Sequence, residues 1–265
     1  VKNPLRLTML CFNWYLGEGT LPETKAGLYE QFVADFYEWK REHFSTTVKQ
    51  QRQLNAALGE LAREAIDKEA TRFRLRHEFV CEFLGEPDEP DSLFGLALRL
   101  GWLNKVGVEA ENPRKGVYAF FHPTFQEYFA ALAIDDWHFF LNHIPENPSH
   151  PDANYRVFET NWREIIIVWF GRKDAKLSRQ QKEQLIKVLI TFEDISRRYG
   201  FYTKQAYLLA AVCIGQYENY DENEIVTQVA KWVFGYFDLV QRQWIRFTYI
   251  IEKEARLALL LTNRR

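Results

Sequence analysis

At 265 residues the chain is long enough for one or two domains with sizeable cores. Its formal net charge of −2 excludes strong long-range attraction to nucleic acid or anionic lipid. With 8 Trp, 13 Tyr and 21 Phe against 13 Gly and 9 Pro, the composition favours helices packed by large side chains.

The first segment, Asn3 to Tyr15, is apolar and reads as a helix, with Pro4 tolerated in its first turn. Gly17 to Pro22 is a loop. Thr24 is placed to cap the next helix, which carries Leu28, Phe32, Phe36 and Trp39 at helical spacing and ends near His43. Leu54, Leu58, Leu61 and Ala65 form one helical stripe. Arg74 to Leu84 reads as another helix, closed by Gly85 and the Pro87 to Pro90 loop. Asp91 or Ser92 caps a third, running to Arg99. Trp102 to Val108 alternates, Asn112-Pro113-Arg114-Lys115-Gly116 turns, and Val117 to Phe121 returns. Three helices followed by a hairpin is the winged-helix order. Pro123 then begins a helix through Ala133.

A Pro- and Asn-rich connection joins His138 to Asn154, and the remainder reads as helical to the end. Ile165 to Gly171 aligns with Leu209 to Gly215 at a shift of about 44 residues. The same shift places Leu185, Val188, Leu189 and Phe192 on Val229, Trp232, Val233 and Tyr236. Helix pairs at this period suggest a HEAT-like solenoid, and an irregular helical bundle would give similar stripes. The predicted domains are residues 1–45, 46–133 and 134–265. The predicted class is mainly α, with one small β-hairpin.

Cys11, Cys81 and Cys213 lie far apart with no CxxC spacing, which suggests buried thiols in a reducing, cytoplasmic compartment. The longest apolar runs, Ile165 to Phe170 and Ala206 to Gly215, are too short to span a membrane. The chain opens at Val1 with neither Met nor a signal peptide, so it is expected to be cut from something longer.

The most telling junction is Phe121-His122-Pro123-Thr124. Pro123 fits the first turn of a helix, so His122 sits on its N-cap side, near the positive end of the helix dipole. An imidazole there can donate to an anion beside backbone N–H groups that favour phosphate. A purely structural role, tying strand to helix, is the competing interpretation.

Phe120 to Ala131, reading FFHPTFQEYFAA, resembles the FxHxTFQEYxAA signature of NACHT proteins, a branch of the STAND signal-transduction ATPases. Asn3-Pro4-Leu5-Arg6-Leu7-Thr8-Met9-Leu10-Cys11 is similar to their NPLLLTLLC segment, and Thr20 to Phe32 to their LPxxRxxLYxxF continuation. The resemblance covers residues 3–131 in the family's order. It implies a helical bridge, a winged helix and a helical arm. It also implies that Pro4 presses on the adenine of a bound nucleotide and that His122 contacts the β-phosphate of ADP, holding the resting state. Exchange for ATP, with Mg²⁺, would then release the winged helix and allow self-association.

One departure from the family is plain. No GxxxxGK[ST] loop or acidic Walker B strand occurs, so this chain by itself is expected neither to hydrolyse ATP nor to hold nucleotide tightly. Those parts belong to a nucleotide-binding domain upstream, the expected first partner. A protein ligand on the helical arm is the second.

No catalytic or metal-binding residues are expected. His138, His143 and His150 are spaced by five and seven, which suits no helical ligand pair, and Asp135-Asp136 and the Arg197-Arg198 and Arg264-Arg265 pairs suit solvated faces. DNA binding is disfavoured, because the helix from Asp91 to Gly101 carries a single Arg and is apolar on nearly all sides. A helical-repeat scaffold with no nucleotide link remains the main alternative; it needs no His122 junction.

Overall fold

The computed structural model describes residues 4–16, 21–68, 73–89, 92–194, 200–217 and 223–262. Asn3, the loop from Gly17 to Thr20, Pro90, Asp91 and the pairs Arg197-Arg198 and Arg264-Arg265 lie outside the described residues. The protein is mainly α-helical with small antiparallel sheets. It divides into two compact units, Val1–Asp135 and Asp136–Arg265.

The first unit opens with α1 (Pro4–Leu16) and α2 (Lys25–Lys40). Thr24 caps α2, its hydroxyl accepting from the Gly27 N–H at 3.0 Å. α1 packs on α2, Met9 of α1 is fully buried, and Asn13 Nδ2 donates to the Leu28 carbonyl at 3.1 Å. α3 (Val48–Lys68) begins with a capping box the sequence spells as Thr47-x-x-Gln50. Gln50 N–H donates to Thr47 Oγ1 at 3.2 Å, and Thr47 N–H to Gln50 Oε1 at 2.9 Å. The expected stripe of Leu54, Leu58, Leu61 and Ala65 is fully buried.

Next come β1 (Leu75–Arg76), α4 (His77–Leu84), α5 (Leu93–Leu100), β2 (Leu103–Val108), β3 (Gly116–Phe120) and α6 (Pro123–Leu132). The strand at Leu75 and Arg76 corrects the single helix expected from Arg74 to Leu84. Those two residues pair with Tyr118 and Val117 of β3, so their backbone is extended before the helix starts. The sheet order is β1-β3-β2, all antiparallel, with Leu103 opposite Phe120 and Val108 opposite Gly116. Ser92 caps α5, accepting from the Phe94 and Gly95 N–H groups at 3.1 and 3.4 Å.

α3 and α6 approach closely because position 59 has no side chain. A Cβ there would stand 3.0 Å from the Phe129 carbonyl oxygen and 3.2 Å from the Ala133 Cβ. Arg63 Nη1 closes the end of α6 by donating to the Ala133 carbonyl at 3.2 Å.

The second unit begins with short 3-10 turns at Trp137–Phe139 and Arg156–Phe158. The Pro- and Asn-rich connection between them is pinched by a bridge from Asn142 to Asn154. Arg156 Nη1 donates to the Phe139 carbonyl at 2.8 Å while its guanidinium lies 4.2 Å from the Phe139 ring centroid. Among the described residues five helices follow: α7 (Arg163–Gly171), α8 (Arg179–Ile190), α9 (Phe201–Ile214), α10 (Asn223–Phe234) and α11 (Tyr249–Thr262). α9 touches all four of the others, and residues Ile165 to Gly171 and Leu208 to Ile214 are buried throughout.

The expectation of unbroken helix after Asn154 fails between α10 and α11. There β4 (Tyr236–Asp238) and β5 (Gln243–Ile245) form a hairpin. Gly235, at φ +79°, ends α10, and the Asp238 carboxylate accepts from the Val240 and Gln241 N–H groups at 2.8 and 2.9 Å to make the turn. The aligned pair Phe192 and Tyr236 therefore lies beyond the helix ends. Phe192 is buried and Tyr236 is on a strand, exposed.

Arg172 follows α7 with its side chain 1% exposed, held by Asp174 through Nε–Oδ2 at 2.6 Å and Nη2–Oδ1 at 3.0 Å. Burial alone would push the Asp174 carboxyl up; the guanidinium, helped by the Lys176 N–H, outweighs it and holds the group below its usual value of 3.8. A depressed native carboxyl contributes stability above its unfolded pKa and loses it as pH falls through the native value. Asp174→Asn is therefore expected to cost about 1–2 kcal/mol at neutral pH, after discounting for partial exposure. Urea unfolding at stepped pH should show that gap full above about pH 4 and closing below it. A gap that is the same at every pH would count against the ion pair.

Candidate functional site

His122 is the N-cap of α6, with extended backbone (φ −151°, ψ 147°). Pro123 occupies the first turn, where a missing N–H costs nothing. The Phe121 N–H, at the strand end, donates to the Trp102 carbonyl at 2.9 Å, and the Phe125 N–H to the His122 carbonyl at 3.0 Å. The corner is thus fixed on both sides of the imidazole.

The ring is half-buried, not sealed in the core. Its Nδ1 accepts from the Thr124 N–H at 3.2 Å and lies 3.0 Å from Thr124 Oγ1. A nitrogen that accepts a backbone N–H keeps its lone pair, so in the neutral ring the proton is on Nε2. Nε2 is then a donor at the positive end of α6. This is the N-cap placement the sequence suggested, with one addition: the same ring also serves as the cap.

The aromatic residues after His122 point into packing. Phe125 is fully buried, with ring centroids 5.6 Å from Tyr29, 5.3 Å from Phe32 and 5.5 Å from Trp102. Tyr128 stacks on Tyr29 at 5.4 Å, and Phe129 meets Trp102 edge-on at 5.4 Å. α6 is therefore clamped to α2 by rings, and His122 rides on a rigid element.

Pro4 heads α1, and its side chain lies outside the described residues. The structure does connect its helix to that of His122 through one residue. Phe32 of α2 lies 5.8 Å from Phe12 of α1 and 5.3 Å from Phe125 of α6.

The loose histidine set of the second unit has separate partners. His138 Nδ1 lies 2.7 Å from Asp136 Oδ1, His143 Nδ1 3.2 Å from the Tyr155 hydroxyl, and His150 Nδ1 3.6 Å from Asp152 Oδ2. Burial lowers the His143 pKa from its usual value, a backbone hydrogen bond at Glu193 and the charges of Glu146 and Glu193 opposing this only in part.

One cluster was missed in the sequence. His77 and Cys81 of α4 and Glu86 just beyond it converge. His77 and Cys81 stand at i and i+4, a spacing that could have flagged them. Glu86 lies beyond the helix, and nothing local announces that it folds back. Burial pushes the Cys81 thiol up to about 11, with Glu86 adding to the effect.

A scan of the chain against protein-family models gives no match, and neither does a search of the curated proteins. Among the described residues no helix is long and apolar enough to cross a membrane.

Proposed function

We propose that the chain is the regulatory part of a NACHT-type nucleotide switch, in which His122 donates from Nε2 to the β-phosphate of ADP held by an adjoining nucleotide-binding domain. The observation that carries this reading is the His122 corner itself. A half-buried imidazole, its tautomer set by its own cap bond, stands at a helix N-terminus on an element locked by aromatic packing.

Other features support it. The order from α3 through β3, with sheet order β1-β3-β2, is compatible with the winged helix that the reading requires. α5, which would be the DNA-reading helix, buries Phe94, Gly95, Leu96, Ala97 and Leu100, so its surface goes to the core rather than to a groove. Leu7 and Trp14 fall seven residues apart on one side of α1 and are about half exposed, an apolar face that a neighbouring domain would cover. In the second unit α7 and α11 both pack on α9, as successive layers of a HEAT-like arm would. There the exposed Phe237, Leu239, Val240 and Trp244 of the hairpin region offer an apolar surface to a protein ligand.

Two variants separate the nucleotide role from the cap. Asn is among the best N-cap residues and keeps an acceptor for the Thr124 N–H; Leu removes both functions. In the protein joined to its nucleotide domain, His122→Leu and His122→Asn are both expected to lose about 1.5–3 kcal/mol of closed-state stabilisation, a charge-assisted bond's worth. That is about 10- to 150-fold faster ADP release. Only the Leu variant should also lose thermal stability. Release unchanged in both variants, or an upstream sequence without a phosphate-binding loop, would overturn the proposal.

A further inference from the structure

α4 is eight residues long and carries His77 and Cys81 on one face, one turn apart. Gly85 follows it at φ +76°, a conformation that L side chains rarely adopt, and the chain reverses there. The reversal returns the Glu86 carboxylate to the same face. His77 Nε2, Cys81 Sγ and Glu86 Oε2 then form a triangle whose three edges are each 3.5 Å.

The two sulfur edges are within hydrogen-bond reach of the Cys81 thiol, but the edge from His77 Nε2 to Glu86 Oε2 is longer than a direct bond. An imidazole and a carboxylate that bond directly close to about 2.7–2.9 Å. Ligands around a shared ion are held apart instead. The centre of a triangle with 3.5 Å edges lies about 2.0 Å from each corner, and a small step out of the plane matches zinc bonds of about 2.0–2.3 Å to N, O and S.

We propose that His77 Nε2, Cys81 Sγ and Glu86 Oε2 bind one zinc ion, with a water in the fourth, tetrahedral position. The donor set selects the metal. Magnesium and calcium prefer all-oxygen shells, whereas thiolate with imidazole suits zinc. The surroundings favour a cation. Glu109 Oε1 accepts from the His77 N–H at 3.1 Å, Glu78 lies on the same helix, and the nearby Lys115 is engaged by Glu78. The His77 ring is held by packing, its centroid 5.8 Å from Phe94 and 6.0 Å from Tyr118. Glu86 is exposed, which gives the ion a way in. Binding replaces the thiol proton with the metal, so one proton leaves Cys81 to buffer as the zinc–sulfur bond forms; no redox change is involved. The bound ion ties the segment after Gly85 to the face of α4. This site is independent of the His122 reading.

The test uses the chain stripped of metal by a chelator and then dialysed. Zinc is expected to bind at one equivalent and to raise the thermal midpoint. Cobalt, used as an optical probe, should give a thiolate-to-metal charge-transfer band. Cys81→Ser should abolish that band, and Glu86→Gln, at an exposed position where folding is not at stake, should weaken zinc binding by about tenfold or more. Cys11→Ser should leave both readouts intact. A stripped wild-type chain that binds no zinc at micromolar concentration overturns the proposal. So does a cobalt band that survives Cys81→Ser, or a Glu86→Gln chain that binds zinc as tightly as wild type.

Discussion

Replacing Trp102 with alanine is expected to destabilise the first unit by about 3–5 kcal/mol, the range for emptying a large aromatic site in a core. Trp102 is 1% exposed and sits where three parts of the unit meet. Its ring centroid lies 4.5 Å from Phe36 and 5.8 Å from Tyr37 on α2, and 5.5 Å from Phe125 and 5.4 Å from Phe129 on α6. Its backbone closes α5 by donating to the Ala97 carbonyl at 2.9 Å, and its own carbonyl accepts from Phe121 at the end of β3. Alanine keeps those backbone bonds and removes only the ring, so the loss reads mainly packing, with the buried indole N–H beside Tyr37 removed as well. Because the chain has two compact units, urea unfolding should be followed with probes for each. The transition of the first unit should move while that of the second stays. A cost under about 1 kcal/mol would mean that the aromatic cluster can close over the gap, against the dense packing of these rings.

The second large effect belongs to Gly215. It ends α9 in right-handed helical geometry, φ −65° and ψ −10°, where any residue is comfortable. The reason for glycine is therefore steric. A Cβ at 215 would fall on the Leu261 carbonyl oxygen of α11 and stand 3.2 Å from both the Leu261 carbonyl carbon and the Thr262 Cα. Backbone cannot rotate away as a flexible side chain does. Gly215→Val is expected to cost about 3 kcal/mol, the upper end for overpacking, and Gly215→Ala to carry most of that, because the first carbon is already the one that clashes. Thermal or urea unfolding of the second unit checks this. A neutral alanine variant would show that α11 moves off α9 freely, and that the contact is not a fixed part of the fold.

The two glycine contacts and the aromatic hub bear on how much could be read from the chain alone. The stripe of Leu54, Leu58, Leu61 and Ala65 repeats every three or four residues, and a helix buries one such face wherever it docks. Thr24 and Ser92 act as caps because their hydroxyls reach backbone N–H groups two or three residues on, a wholly local matter. The His122 corner was legible for the same reason: Pro123 fixes the first turn of α6, and the preceding residue must then be the cap. β1 was not legible. Two residues carry no periodicity, and Leu75 and Arg76 are extended only because β3 offers them partners. The β4–β5 hairpin was not legible either: the expected 44-residue alignment runs on to Tyr236, which lies on a strand paired with Ile245.

What the sequence determined by itself is the set of elements whose signals lie within one or two turns: the amphipathic helices, their caps, and the imidazole at the head of α6. What only the tertiary structure decided is which of these meet. Phe32 joins α1 to α6, Gly215 lets α9 touch α11, and Gly85 returns Glu86 to His77 and Cys81. The physical reason is range. Periodicity and capping depend on bonds between near neighbours, whereas contact between distant residues depends on how faces, close approaches and chain reversals fit together, and no window of sequence contains that information.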